Sequence, residues 1–121
     1  MLFRSYYELK LDDGNIRRRF ISDGHWMITQ YDAKTGAVIF HHGGTYSFDG
    51  KRYVEHVEYA NENTKFLIGN NHRFILTVKP TSIHIEGIGN PWNEEWERVK
   101  DNSFKKEIVF EPSADKPGSG Q

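Results

Sequence analysis

The sequence predicts an all-β protein: a single antiparallel up-and-down β-barrel of about eight strands with at most one short helical turn. Three observations point there. Apolar and polar residues alternate with period two along most of the chain. Turn-forming residues interrupt that alternation at short, regular intervals. Aromatic residues make up 14 % of the 121 residues, and large rings suit the pleated surface of a strand.

The elements follow in order. Phe3, Tyr7, Leu9 and Leu11 share one face of a first strand, closed by Asp12-Asp13-Gly14-Asn15, residues that tolerate left-handed backbone. A second strand over residues 16–22 turns at Asp23-Gly24 into a third over 25–31, and residues 32–36 form the next loop. A fourth strand over 37–48 is interrupted by Gly43-Gly44, where missing side chains predict a bulge or sharp bend. Asp49-Gly50 turns it into a fifth strand over 53–59. Residues 60–71 are the one irregular connection, with a helical turn expected around 62–67 that would serve as a lid or plug. Strands over 72–79, 81–87 and 92–99 bring the count to eight, and a ninth short strand is an option over 107–110. Closing such a meander removes its exposed edges and leaves an interior that is either packed or holds one small ligand.

The division expected is a barrel over residues 1–110 and a disordered tail over 111–121, because the last residues are rich in Pro, Gly and Ser and nearly free of apolar groups. The chain is long enough to bury one core without a metal or disulfide. Lys plus Arg number 16 against 17 for Asp plus Glu, so no net field draws in nucleic acid or an anionic membrane. With no cysteine, disulfides, thiolate catalysis and zinc-thiolate sites are excluded together. No apolar run approaches the roughly 18 residues of a transmembrane helix, and the start shows no export signal, so a soluble chain is expected.

Gly43-Gly44-Thr45-Tyr46, Asp49-Gly50, the segment Tyr53-Val54-Glu55-His56-Val57-Glu58-Tyr59 and Glu94-Glu95-Trp96-Glu97-Arg98-Val99 resemble a set of small bacterial lipocalin-like, calycin-type β-barrel proteins of the DUF4488-type group, which has no assigned activity. Asp23-Gly24-His25-Trp26-Met27 and the loop from Tyr31-Asp32 to Thr35-Gly36 resemble them too, so the similarity spans most of residues 2–100. The resemblance implies a lipocalin-like barrel and an exported parent protein. Such proteins usually open with a Gly-x-Trp strand, which is missing after Met1; either the chain is truncated or its barrel closes differently.

Candidate chemistry rests on polar residues placed among apolar ones. Trp92, Glu94, Trp96 and Arg98 share a face of the last strand, and an inward arginine can grip a ligand carboxylate with two parallel hydrogen bonds, as in the related fatty-acid-binding barrels. The structural alternative is that Arg98 stacks on Trp96 or on the first strand and pairs with Glu55 or Glu94, closing the barrel end. Arg18 lies between Ile16 and Phe20 and is read as inward, with Arg17 and Arg19 on the other side beside Ile21. Glu55 shares a face with Tyr53, Val57 and Tyr59, and must there be paired, hydrated or protonated. His42 and His72 point inward by parity, whereas His56 and His84 point outward. Parity therefore argues against a metal site built from His42, His56 and His72, and no His-x-His or His-Glu-x-x-His spacing occurs.

These residues predict a binding protein that takes a small apolar or amphipathic molecule, optionally acidic, inside the barrel or at its mouth. Its contacts would be Arg98, Arg18, Tyr46, Trp96, Glu55, Tyr53 and His42, with no metal and no cofactor. Two alternatives stand beside it. One is a cofactor-independent isomerase, cyclase or hydrolase using Glu55 with His42 or His72. The other is a packed scaffold acting through its surface, with a homodimer as one form.

Overall fold

The computed structural model describes residues 5–99, which form a closed, eight-stranded, antiparallel up-and-down barrel. The strands are β1 (Ser5–Lys10), β2 (Asn15–Ser22), β3 (His25–Asp32), β4 (Val38–Phe48), β5 (Arg52–Ala60), β6 (Asn71–Val78), β7 (Ser82–Gly87) and β8 (Asn93–Arg98). A 3-10 helix, η1 (Glu62–Leu67), occupies the irregular connection between β5 and β6. Each strand pairs with its successor, and β8 returns to β1. The expected ninth strand and the expected tail lie outside the described residues.

Local chemistry sets the turns. Asp23 and Gly24 both adopt positive φ, 52° and 82°, the backbone a two-residue hairpin between right-twisted strands requires, and they bring Ser22 opposite His25. Asp32 Oδ1 accepts from the Lys34 and Thr35 amides, and Asp49 Oδ1 does the same for Lys51 and Arg52. Those amides hold the Asp49 carboxyl below its ordinary range.

The Gly43-Gly44 interruption is a bulge. Gly43 pairs with Tyr59 and Gly44 with Val57, so Glu58 is the extra residue on β5. A Cβ on Gly44 would collide with the carbonyl oxygen of His56, which accepts a hydrogen bond from Trp26 Nε1 at 3.2 Å. The bulge reverses parity at its end. Tyr59, expected inward with Tyr53 and Val57, therefore lies outside against Gly43 and is 44 % exposed.

The lower and middle interior is solid, built on Tyr7, Ile21, Trp26, Tyr53, Val57, Leu76, Ile83 and Trp96, each no more than 2 % exposed. The turns at 11–14, 33–36 and 88–92, together with η1, share the opposite, upper end. η1 is tied to β4 there. Asn61 Oδ1 accepts from the His41 amide, and Asn63 Nδ2 donates to the Ile39 carbonyl. No helix among the described residues is long and apolar enough to cross a membrane.

Candidate functional site

The register of β2 decides which cations enter the barrel. Pairing across the Asp23-Gly24 turn puts Ile21 opposite Trp26, and both are buried, so Arg19 and Arg17 lie inside on the same face. Arg18, expected inward, faces outward: its side chain is 43 % exposed, and its Nε donates to Glu8 at 3.2 Å. Phe20, its expected companion, is likewise outside and stacks on Tyr6. Apolar residues at 16 and 20 suggested the opposite face, but those two side chains cover the outer wall.

Arg19 is the centre of a buried polar group. Its side chain is 5 % exposed and ion-pairs with Glu55, 2 % exposed. Glu55 Oε2 also accepts the Tyr53 hydroxyl at 2.7 Å. The guanidinium carbon lies 4.7 Å from the Trp96 ring centroid and 5.8 Å from that of Trp26. Arg19 Nε has no hydrogen-bond partner. Burial pushes the Glu55 carboxyl up against the opposing pull of Arg19. Burial works against the Arg19 charge, yet Glu55 beside it leaves its pKa raised.

Above this group opens a cavity of about 250 Å³. Ile28, Phe40, Phe74, Ile85 and Trp92 supply apolar walls, Thr64, Phe66 and Leu67 of η1 form the rim, and Arg17, Arg19, His42, Glu55, His72 and Glu94 supply the polar lining. Arg17 is held on two sides, donating from Nε to Gln30 and from Nη1 to Glu94, each at 2.7 Å. His42 stacks on Phe40, and its Nδ1 lies 3.1 Å from Thr64 Oγ1, joining the barrel wall to the helix above it. Burial, then the positive charge of Arg19, lowers its pKa to about 4. The same two causes lower that of His72, whose ring meets Trp92 edge-on at 4.9 Å.

At neutral pH both imidazoles are therefore uncharged and each guanidinium has its own carboxylate. The lining offers hydrogen bonds and rings rather than a strong net charge. Of the sequence-predicted contacts, Glu55 and His42 line the cavity, as does His72 from the enzymatic alternative. Tyr53 acts one step back through its bond to Glu55. Tyr46, tilted against Tyr53, and Trp96, fully buried beneath Arg19, are not in the lining. Arg98 sits at the far end of β8, exposed beside the β1–β8 seam, because Trp96 closes the interior above it.

Sequence reading puts Arg17 and Arg19 on the wrong side of β2, and it places Glu94 on the Trp92 and Trp96 face but pairs it with Arg98, where the structure pairs it with Arg17. The tight Asp23-Gly24 turn pairs Ile21 with Trp26, but it is the burial of Trp26 in the folded barrel that places both arginines inside. Glu55 and His72 are register partners on β5 and β6, yet no hydrogen bond joins Glu55 to either inward histidine among the described residues. His56 and His84 face outward as expected, bonded to Asn71 and Glu95. Among the described residues no group of three or more His, Asp or Glu is placed to hold a metal ion.

Comparison of the chain with protein-family models, with curated proteins and with solved structures finds no match.

Proposed function

We propose that this protein is a lipocalin-like binding protein that takes one small, mostly apolar ring compound or short chain into the upper end of its barrel. The observation that carries the reading is the cavity itself. Three aromatic side chains, Phe40, Phe74 and Trp92, surround a space fitted with fixed polar groups, the pattern of small-molecule sites. Its volume, about 250 Å³, is just below the roughly 300–1,000 Å³ of pockets for drug-sized ligands. A compact ligand suits it better than a retinoid or a haem.

The two neutral histidines give such a ligand hydrogen-bond partners without demanding charge. Arg17, whose side chain is 24 % exposed, is the cation an acidic ligand would reach, and it would do so in competition with Glu94. Trp92 lies in the lining and reports occupancy. The test is tryptophan fluorescence titration of the full chain with matched pairs of small aromatic acids and their neutral amides. Saturable one-site quenching by at least one compound is expected, and Leu67→Trp, at the rim, should abolish it while the far-ultraviolet spectrum stays unchanged. A flat response across the panel, or binding indifferent to Leu67→Trp, overturns the reading.

A further inference from the structure

His42 is held by three neighbours and open at one atom. Its ring stacks on Phe40, with centroids 5.2 Å apart, and meets Trp26 at 81° with centroids 5.6 Å apart. Nδ1 reaches Thr64 Oγ1 at 3.1 Å. Nε2 has no hydrogen-bond partner among the described residues, and it is not sealed in, because Arg19 Nε is the only fully enclosed side-chain nitrogen or oxygen among them that lacks a partner. His42 is 7 % exposed overall and lines the cavity, so the surface that Nε2 keeps is cavity surface.

A run of hydrogen bonds through η1 decides which nitrogen of that ring carries the proton. Asn61 follows β5 and takes both backbone groups of His41: its amide donates to the His41 carbonyl at 2.8 Å, and its Oδ1 accepts from the His41 amide at 3.3 Å. Only an oxygen can accept there, so the Asn61 side chain is fixed in orientation. The Thr64 hydroxyl has a single proton and gives it to that oxygen, at 3.3 Å. Thr64 Oγ1 is left as an acceptor, so the bond to His42 runs from Nδ1–H to Oγ1. Burial and then the charge of Arg19 keep a second proton off the ring. Nε2 therefore presents a bare lone pair to the cavity.

Resting on the binding reading above, we propose that the cavity selects a compact ring compound carrying an O–H or N–H donor, such as a phenol or an indole. His42 Nε2 is the acceptor that orients it, and Thr64 and Asn61 position that acceptor. The cations of the lining are already engaged. Arg17 and Arg19 each face a carboxylate, so an acceptor on the ligand would share its cation with Glu94 or Glu55. Among the described residues nothing donates to Nε2, so a ligand donor meets no such competition. A ligand carboxylate would set its charge against the lone pair. An apolar ligand of the same shape would displace water and leave a buried acceptor unmet, which is costly. Rings suit the walls, since Phe40, Phe74 and Trp92 offer faces and edges to an aromatic guest.

Two measurements on the full chain test this. A long-range proton–nitrogen correlation spectrum at neutral pH should show the His42 ring protonated at Nδ1 and bare at Nε2, and Thr64→Val should turn it into a mixture of both tautomers. Titrations followed by amide chemical shifts then compare indole with N-methylindole, and para-propylphenol with its methyl ether. The donor of each pair should bind at least about tenfold more tightly, and His42→Phe, which keeps a ring beside Phe40 and Trp26, should bring each pair within about twofold. If His42→Phe does not fold, Thr64→Val takes its place and should narrow the same difference. Equal binding within each pair, or a proton on Nε2, overturns the proposal and leaves the cavity reading standing. Discrimination that survives His42→Phe reflects the bulk of the methyl group and overturns it too. Should none of the four compounds bind, the proposal falls, and the panel of acids and amides shows whether the cavity reading falls with it.

Discussion

At the scale of single residues, the decisive pair is Arg19 with Glu55. Two charges have been taken almost wholly out of water, 5 % and 2 % exposed, and each makes the other tolerable. Such a pair is weak evidence for stability by itself, because desolvation offsets most of the Coulomb attraction. Breaking it is another matter. Glu55→Leu strands a guanidinium between Trp96 and Trp26 and should destabilise the fold by about 3–5 kcal/mol. Adding Arg19→Met to that variant should recover most of the loss, since apolar groups of similar size then fill the space. Urea denaturation of the two variants gives both numbers, and a double variant no more stable than Glu55→Leu would show that the site needs its charges. The position of Glu55 inside was legible from its apolar neighbours on β5. Its partner was not, because Arg17, Arg18 and Arg19 are chemically alike in sequence and only the register separates them.

Among the elements, the β4–β5 ladder carries the largest departure from simple alternation. Glu58 is the extra residue, and beyond it the inside and outside of β5 exchange. The device depends on Gly44, where a methyl group would drive into the His56 carbonyl that Trp26 caps. Backbone cannot swing aside as a long side chain can, so Gly44→Ala should cost about 1–3 kcal/mol or more and should lower the thermal midpoint without changing the far-ultraviolet spectrum. A neutral effect would mean that the bulge relaxes freely. Gly43-Gly44 announced an irregularity in the sequence, but which strand would hold the extra residue depended on how β4 and β5 met. The helical turn between β5 and β6 was equally legible, since Asn61, Asn63 and Thr64 can bond nearby backbone and side chains. Its tether to His42 was not, being a contact between residues 22 positions apart.

For the molecule as a whole, the buried histidine links stability to pH. The pKa of His42 is about 4 in the fold against 6.5 when free, so the unfolded chain binds the extra proton first. The stability His42 confers is complete above pH 6.5 and is lost as pH falls from 6.5 toward 4. Between pH 7.5 and pH 5 the loss should reach about 2 kcal/mol. His72, also lowered, adds in the same direction. Glu55 opposes it, because a carboxyl raised by burial favours the folded state as it gains its proton. His42→Gln removes the first contribution and should flatten the acid limb of the stability profile by that amount. An unchanged slope in urea titrations at the two pH values would place the sensitivity elsewhere.

What the sequence determined by itself was the architecture. Alternation with period two is a property of neighbouring residues, and turns such as Asp23-Gly24 are set by local backbone preference, so strand number, hairpin order and closure could all be read along the chain. Tertiary structure alone decided which of two alternating faces turned inward on β2, where parity reversed on β5, and that Trp96 closes off the end holding Arg98 while a cavity stays open beneath η1. Those outcomes depend on register and on volume filled by residues far apart in sequence, and a one-residue slip exchanges every side chain between core and solvent.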